Sequence, residues 1–384
     1  MKILVNTTIN KSGGGQKVAL NFISGLIQYY LNEKIVVLCI ENSPVHRLLE
    51  ANPLLEFHTV PEMGAVKRMR WEILHGGSLL AKIRPDVIYT VFGYSLFSRK
   101  YPQVMGEANS NLYFPEIDFW QELSRRRKVL AFVRDRFRLW TARRAAGVVF
   151  ENPEMMKQAL SLRHFPENRV CYIKPSIVIE PSMKETSPEM TSADGYFRLL
   201  MLAGWQYHKN FMILPCLMKT LKDAGKAVKV LFSVSPTPAL PAYVKFMEEV
   251  RKYDVGDRIE LVGTVPPEKL PDLYRKIDAV LLLSRLESFS NNIIEAWKFG
   301  KPLIVSDAPW ARNIVKEGGC FVPREDAERI CEEIIRLIDQ PDYRGKVVKA
   351  GAAELESYPS IEEHIRAVLD FVTAIGVKTQ RKTN

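Results

Sequence analysis

At 384 residues the chain exceeds a single typical hydrophobic core, so two domains are the default reading. A content of 47% hydrophobic and 26% charged residues excludes collagen-like and disordered chains, and no apolar run approaches the roughly 20 residues needed to cross a bilayer. The net charge of +10 is uneven, with +9 in residues 1–180 and +1 in residues 181–384. Cys39, Cys171, Cys216, Cys320 and Cys331 lack any C-x-x-C spacing, which argues against disulfides and zinc and for a reducing cytosol.

In chain order, Met1–Asn6 reads as a first strand, too short for a signal peptide. Gln16 to Asn32 is a helix, Lys34 to Ile40 a strand, and Val87 to Val91 a strand after Arg84-Pro85. Gln103-Val104-Met105-Gly106 is another. Gly147-Val148-Val149-Phe150 follows, and Pro153 opens a helix to about Leu162. Strand-then-helix alternation implies a parallel sheet with crossover helices. Between residues 175 and 195 the pattern lapses into Lys174-Pro175, Glu180-Pro181, Ser187-Pro188 and Ala193-Asp194-Gly195, the composition of a linker. Alternation resumes with strands at Phe197 to Leu202, Val228 to Ser233, Ile259 to Val262, Ala279 to Leu283 and Leu303 to Ser306. A helix over about Ile361 to Ile375 closes the pattern, and the polar, basic residues after Gly376 read as a frayed tail.

Most of the positive charge lies in Arg125 to Arg144, where nine Lys/Arg face a single Asp135. Val129 or Leu130, Val133, Phe137 and Trp140 recur at helical spacing, so the segment is a basic amphipathic helix. Its stripe is expected to pack Val133, Phe137 and Trp140 on the first domain's sheet, leaving the arginines solvated. The solvated face, with Arg125, Arg126, Arg127 and Lys128, would still suit an anionic membrane surface. Nucleic acid is not expected, because no RRM, zinc-finger or helix-turn-helix signature accompanies the charge.

The most informative stretch is Glu287-Ser288-Phe289-Ser290-Asn291-Asn292-Ile293-Ile294-Glu295. Two acids eight positions apart bracket a short polar turn between a buried strand, Ile277 to Ser284, and a helix closed by Gly300. That places them at the carboxyl end of a parallel strand, where open α/β sheets bind ligands and backbone N–H groups favour phosphate. Taken alone, Glu295 is also compatible with an ordinary acid complementing a helix dipole.

This spacing resembles the E-x7-E signature of family-4 retaining glycosyltransferases, glycosyl transferases group 1. Ser12-Gly13-Gly14-Gly15-Gln16 resembles their glycine-rich loop after the first strand, and Leu202-Ala203-Gly204 with Lys209-Asn210 the opening of their second domain. Leu261 to Pro266, Leu273-Tyr274 and Ser306-Asp307 follow in register. The resemblance covers nearly the whole chain. It implies an α/β GT-B fold: two Rossmann-like doubly wound domains with a central cleft, residues 1–180 on the acceptor side and 195–358 binding the nucleotide sugar, and a helix at about 361–376 crossing back to the first domain.

The resemblance further implies roles. Lys209 would face the donor diphosphate, Glu287 the transferred sugar and Glu295 the ribose hydroxyls. Gly14, Gly15, Gly204, Val265, Ser288, Phe289, Ser290 and Asn291 would complete the donor site. Without the surrounding pattern, Lys209 would read as a solvated surface lysine. Where relatives carry an arginine after the position of Gly204, this chain has Trp205 and Gln206, and where they often carry a histidine it has Glu107-Ala108-Asn109, so Glu107 and Asn109 are the acceptor-side candidates. No D-x-D motif is present, so neither a metal nor another cofactor is implied. The expected function is a retaining hexosyltransferase that uses a nucleotide sugar to extend a glycan or lipid-linked acceptor, in the cytoplasm or peripheral on the inner face of the membrane. Alternatives are a GT-B nucleotide-sugar epimerase or phosphorylase, or a binding protein that has kept the fold. Base, sugar and acceptor are not legible in the sequence.

Overall fold

The computed structural model describes residues 1–11, 13–31, 33–94, 100–176 and 195–383. The chain divides into two compact units: unit 1 is Met1–Pro115, Ser124–Val178 and Pro359–Asn384, and unit 2 is Glu116–Leu123 and Ile179–Tyr358.

Unit 1 runs β1 (Ile3–Asn6), α1 (Gly13–Tyr29), β2 (Ile35–Ile40), α2 (Pro44–Ala51), β3 (Glu56–Val60), α3 (Ala65–Ile83), β4 (Val87–Thr90), β5 (Gln103–Glu107), α4 (Arg125–Arg144), β6 (Gly147–Phe150), α5 (Pro153–Ser161) and β7 (Val170–Tyr172). Its seven strands are parallel in the order β3-β2-β1-β4-β5-β6-β7. β1, β2, β4, β5 and β6 are buried along their whole length, as a sheet covered on both faces requires. Helix starts follow local chemistry. Ser43 accepts from His46 N–H ahead of Pro44, and Asn152 accepts from Glu154 and Met155 N–H ahead of Pro153.

Unit 2 runs β8 (Phe197–Met201), α6 (Leu214–Asp223), β9 (Val228–Phe232), α7 (Pro241–Lys252), β10 (Ile259–Leu261), α8 (Leu270–Arg275), β11 (Ala279–Leu282), α9 (Asn291–Lys298), β12 (Leu303–Ser306), α10 (Pro309–Val315), β13 (Cys320–Val322), α11 (Ala327–Asp339) and α12 (Pro341–Glu356). Its parallel order is β10-β9-β8-β11-β12-β13. In each sheet the strand order reverses once, between β1 and β4 and between β8 and β11. These are the switch points at which doubly wound sheets open a crevice. The last helix, α13 (Ile361–Thr383), returns to unit 1 and packs on α1. Gly25 makes that approach possible, since a Cβ there would lie 2.4 Å from Ile365 Cδ1.

Several expectations need correction. The residues after Gly376 do not fray: α13 continues to Thr383. The three glycines near position 14 do not form a loop but the first turn of α1. Strands β3, β7 and β13 escaped the sequence reading; β7 and β13 have three residues each, and four of the five positions of β3 are not buried. The expected linker at 175–195 falls largely outside the described residues, as does Ser12.

The largest correction concerns α4, whose bounds match the sequence reading while its orientation is inverted. Val129, Leu130, Val133, Phe137 and Trp140 are exposed, and Ala131, Leu139, Thr141 and Ala142 face inward. Small residues allow the helix to lie close to the unit. Asp135 also points inward, where it accepts from Asn111 Nδ2 at 2.7 Å. Periodicity defines a stripe but not which stripe is buried.

Candidate active site

The switch point of unit 2 brings the two sequence candidates together. Lys209 ends a 3-10 turn (Tyr207–Lys209) in the loop after β8, and Glu287 lies in the loop after β11. The two strands are hydrogen-bonded neighbours, with Ala279 opposite Leu199. Residues 78 apart in sequence thereby meet: Lys209 Nζ donates to Glu287 Oε1 at 2.5 Å, both side chains largely buried. The loops are cross-braced. Arg285 N–H donates to His208 O at 2.8 Å, and Asn210, held at φ 60°, donates from Nδ2 to Arg324 O.

Trp205, at the position where an arginine was sought, packs among Phe211, Phe232 and Phe246 with centroid distances of 5.2–5.5 Å. It serves the core and leaves no cation there. Arg285, which the sequence reading passed over, stands two residues before Glu287, and its guanidinium Nε is buried with no hydrogen-bond partner among the described residues. Trp310 Nε1 holds its carbonyl at 3.2 Å. The signal was available, a basic residue directly after a buried strand.

His208 adds a neutral group. Its ring stacks on Phe119 at 4.6 Å, a contact between positions 89 apart that no local pattern encodes. Burial, reinforced by Lys209 and opposed by Glu287, pushes its pKa down to about 4, so the imidazole is uncharged at neutral pH.

Past Glu287 the turn Ser288-Phe289-Ser290 leads into α9, with Ser290 at the N-cap in extended conformation. Asn291 opens the helix, and Asn292 ties it to the end of β8 by donating from Nδ2 to Leu202 O at 2.9 Å. Glu295 sits one turn on and accepts from Tyr274 OH at 3.2 Å. Val265 is half-buried beyond β10, after a turn at Gly263 with φ 77°. At Gly204 a Cβ would meet only the flexible end of Gln206.

In unit 1, Gly14 and Gly15 offer first-turn N–H groups. The space beside Gly14 is open, whereas a Cβ on Gly15 would come within 3.1 Å of Asn10 Nδ2. Asn10 Oδ1 is buried without a hydrogen-bond partner among the described residues. Glu107, only 1% exposed, is occupied structurally: Oε1 accepts from Asn109 N–H and Nδ2, both at 2.7 Å, and Oε2 from Tyr113 OH at 3.2 Å. Burial raises its pKa, while the bonds from Asn109 and Tyr113 and the charge of Arg138 oppose the rise.

Glu151, which the sequence reading passed over, follows β6 at the carboxyl edge of the same sheet. Burial pushes its pKa up to about 7. The folded state therefore favours the neutral acid. That preference stabilises fully below the ordinary carboxylate range and is lost as pH rises through about 7. Glu151→Gln should raise the melting temperature at pH 8, by the equivalent of about 1–3 kcal/mol after discounting for partial exposure, and leave it nearly unchanged at about pH 4.5. Equal shifts at both pH values in thermal melts would contradict this reading.

The profile of the family described as glycosyl transferases group 1 matches residues 183–354, which include Lys209, Glu287 and Glu295. The match covers less than half of the chain. Among curated proteins similar to this chain, the D-inositol 3-phosphate glycosyltransferase of Nocardia farcinica is 30% identical over 98 residues, 25% of this chain and 22% of the relative. The amylovoran biosynthesis glycosyltransferase AmsD of Erwinia amylovora is 24% identical over 154 residues, 40% of this chain and 42% of the relative. The chain thus spans less than half the length of these curated relatives. Over 96% of this chain and 99% of the other, it superposes on HepE of Anabaena in complex with UDP-glucose, with a TM-score of 0.68 and 16% identity. That likeness establishes the GT-B fold.

Proposed function

We propose that the protein is a retaining glycosyltransferase that moves a hexose from a nucleotide sugar to a glycan or lipid-linked acceptor in surface polysaccharide or glycoconjugate synthesis. The observation that carries this reading is the Lys209–Glu287 pair, 2.5 Å apart at a switch point and directly ahead of the turn into α9. A departing nucleoside diphosphate gains negative charge as the glycosidic bond breaks, and a cation held in place in advance lowers that barrier. Lys209 supplies it, with Arg285 as second cation. Glu287 keeps the ammonium aimed and accepts hydrogen bonds from hydroxyls of the transferred sugar. Backbone N–H groups of Ser288, Phe289, Ser290 and Asn291 bind phosphate or sugar, Glu295 the ribose, and Val265 and Gly204 border the base and phosphates. In unit 1 the N–H groups of Gly14 and Gly15 suit an anionic group. Asn109, oriented by Glu107, and the near-neutral acid Glu151 suit a hydroxylated acceptor.

HepE of Anabaena holds UDP-glucose, which makes UDP the first nucleotide to test. AmsD, described by its part in amylovoran synthesis, supports a polysaccharide acceptor. The same reading puts the reaction in the cytoplasm, peripheral on the inner face of the membrane.

The test combines binding and product analysis. UDP and its sugars should raise the melting temperature in a dose-dependent way, since ligands of the native state alone stabilise it. Transfer should persist in EDTA, because Lys209 and Arg285 provide the positive charge, and NMR should find the donor's anomeric configuration retained. An inverted product, an isomerised free sugar nucleotide or activity that returns only with manganese would each overturn this account.

A further inference from the structure

The feature that the donor site leaves unexplained is the inverted helix α4. It exposes Val129, Leu130, Phe132, Val133, Phe137 and Trp140, with Val133 60% and Trp140 45% accessible. Positions 129, 133, 137 and 140 follow helical spacing and form one stripe, opposite the inward-facing Ala131, Leu139 and Ala142. Large apolar groups outside and small ones inside reverse the usual surface helix, so the stripe has no partner within the described residues of the unit.

Cations surround the stripe. Arg125, Arg126 and Arg127 stand at its start and Arg143 and Arg144 at its end, all exposed, with Arg136 along one side. Arg144 lies over the Trp140 ring at 4.1 Å and Arg136 near Phe132 at 6.0 Å, so guanidinium groups flank the rings. The one acid of the helix, Asp135, is turned inward, where it accepts from Asn111 and pairs with Arg134 and Arg138.

Helix α3 lies on the same side of the sheet. The crossovers β3-α3-β4 and β5-α4-β6 advance across the sheet in the same direction, so right-handed connections place both helices over the same face. On α3, Val66, Ile73 and Leu74 are exposed, interspersed with Lys67 and Arg70.

We propose that this face of unit 1 docks on an anionic phospholipid bilayer by sinking the apolar stripe of α4 into the headgroup–acyl boundary, with its arginines on lipid phosphates. An interfacial helix needs this combination: an apolar face to bury, aromatic residues at the headgroup level and basic groups that reach back to the phosphates. Charge alone would serve a nucleic acid, but a nucleic acid gives six large apolar side chains no dry environment. The proposal rests on the reading of a peripheral enzyme and names the surface responsible. It is tested without sugar transfer.

The experiment uses the full chain with vesicles of phosphatidylglycerol and phosphatidylcholine, and with phosphatidylcholine alone. Wild type should co-sediment with the anionic vesicles, and part of the binding should survive about 0.5 M salt, since burial of the stripe is not screened. Val133→Asp combined with Phe137→Asp should weaken binding at least about 10-fold at both low and high salt while UDP stabilisation is unchanged. Replacement of Arg125, Arg126 and Arg127 by Glu should abolish chiefly the low-salt component. Unchanged binding of the aspartate variant would overturn insertion of the stripe. So would equal binding to both vesicle types, or a wild-type dimer that ignores vesicles and is dissociated by the aspartates. Loss of UDP stabilisation in wild type would instead sink the enzymatic reading and leave the vesicle result standing.

Discussion

Lys209→Ala is expected to lower kcat/KM for transfer by about 10²-fold or more, with the fold intact by circular dichroism. Two effects combine. The proposed diphosphate site loses a cation, and Glu287, largely buried beside it, loses the partner 2.5 Å away that offsets its desolvation. Glu287→Gln retains the shape, abolishes the charge and should cost a similar amount. Because the pair acts as a unit, the double variant should be scarcely worse than either single variant. Glu295→Ala, one helical turn away and bonded to Tyr274, should chiefly raise KM for the donor. Wild-type rates in all three single variants would mean that the donor does not bind here.

Trp297→Ala should be the most damaging single change to unit 2, costing about 3–5 kcal/mol. Trp297 lies on α9, is 3% exposed, and donates from Nε1 to Gly318 O at 2.6 Å. Gly318 and Gly351 shape its slot: a Cβ at either would lie within 3 Å of the indole. Since α9 also presents Asn291, Asn292 and Glu295, the truncation should weaken UDP binding as well as lower the melting temperature. Trp297→Phe keeps much of the volume and loses the bond to Gly318, so its cost should be closer to about 1–2 kcal/mol. A melting temperature within a degree of wild type for the alanine variant would show that α9 is held by other contacts.

The segment that carries the candidate donor site was legible because its information is local. A buried run, a polar turn and a helix start make Glu287 and Glu295 neighbours within one segment, and the family resemblance brought in Lys209 from its own strand-end loop. The strands of unit 2 were likewise read to within a residue or two where both faces are buried. What escaped depends on pairing across the chain. The stacking of His208 on Phe119 and the bracing of Asn292 by Leu202 O join positions that share no periodic pattern. The orientation of α4 escaped for a different reason: its stripe is real, yet Ala131 and Ala142 are too small to announce themselves as the packed face. Glu107 looked available because nothing local shows that Asn109 and Tyr113 close around it as donors.

The division of the chain into units has a bearing on how such a gene can be rearranged. The polypeptide passes from one unit to the other at 115/116, 123/124, 178/179 and 358/359. A single recombination breakpoint near residue 180 would therefore graft an incomplete body at each end. The incoming second half would arrive without the 116–123 segment, and with it the Phe119 ring on which His208 rests, and would carry a foreign α13 to be fitted against Gly25 of α1. If the loops after β8 and β11 hold the donor as proposed, exchange of its specificity between relatives is easier by substitution within them than by swapping halves.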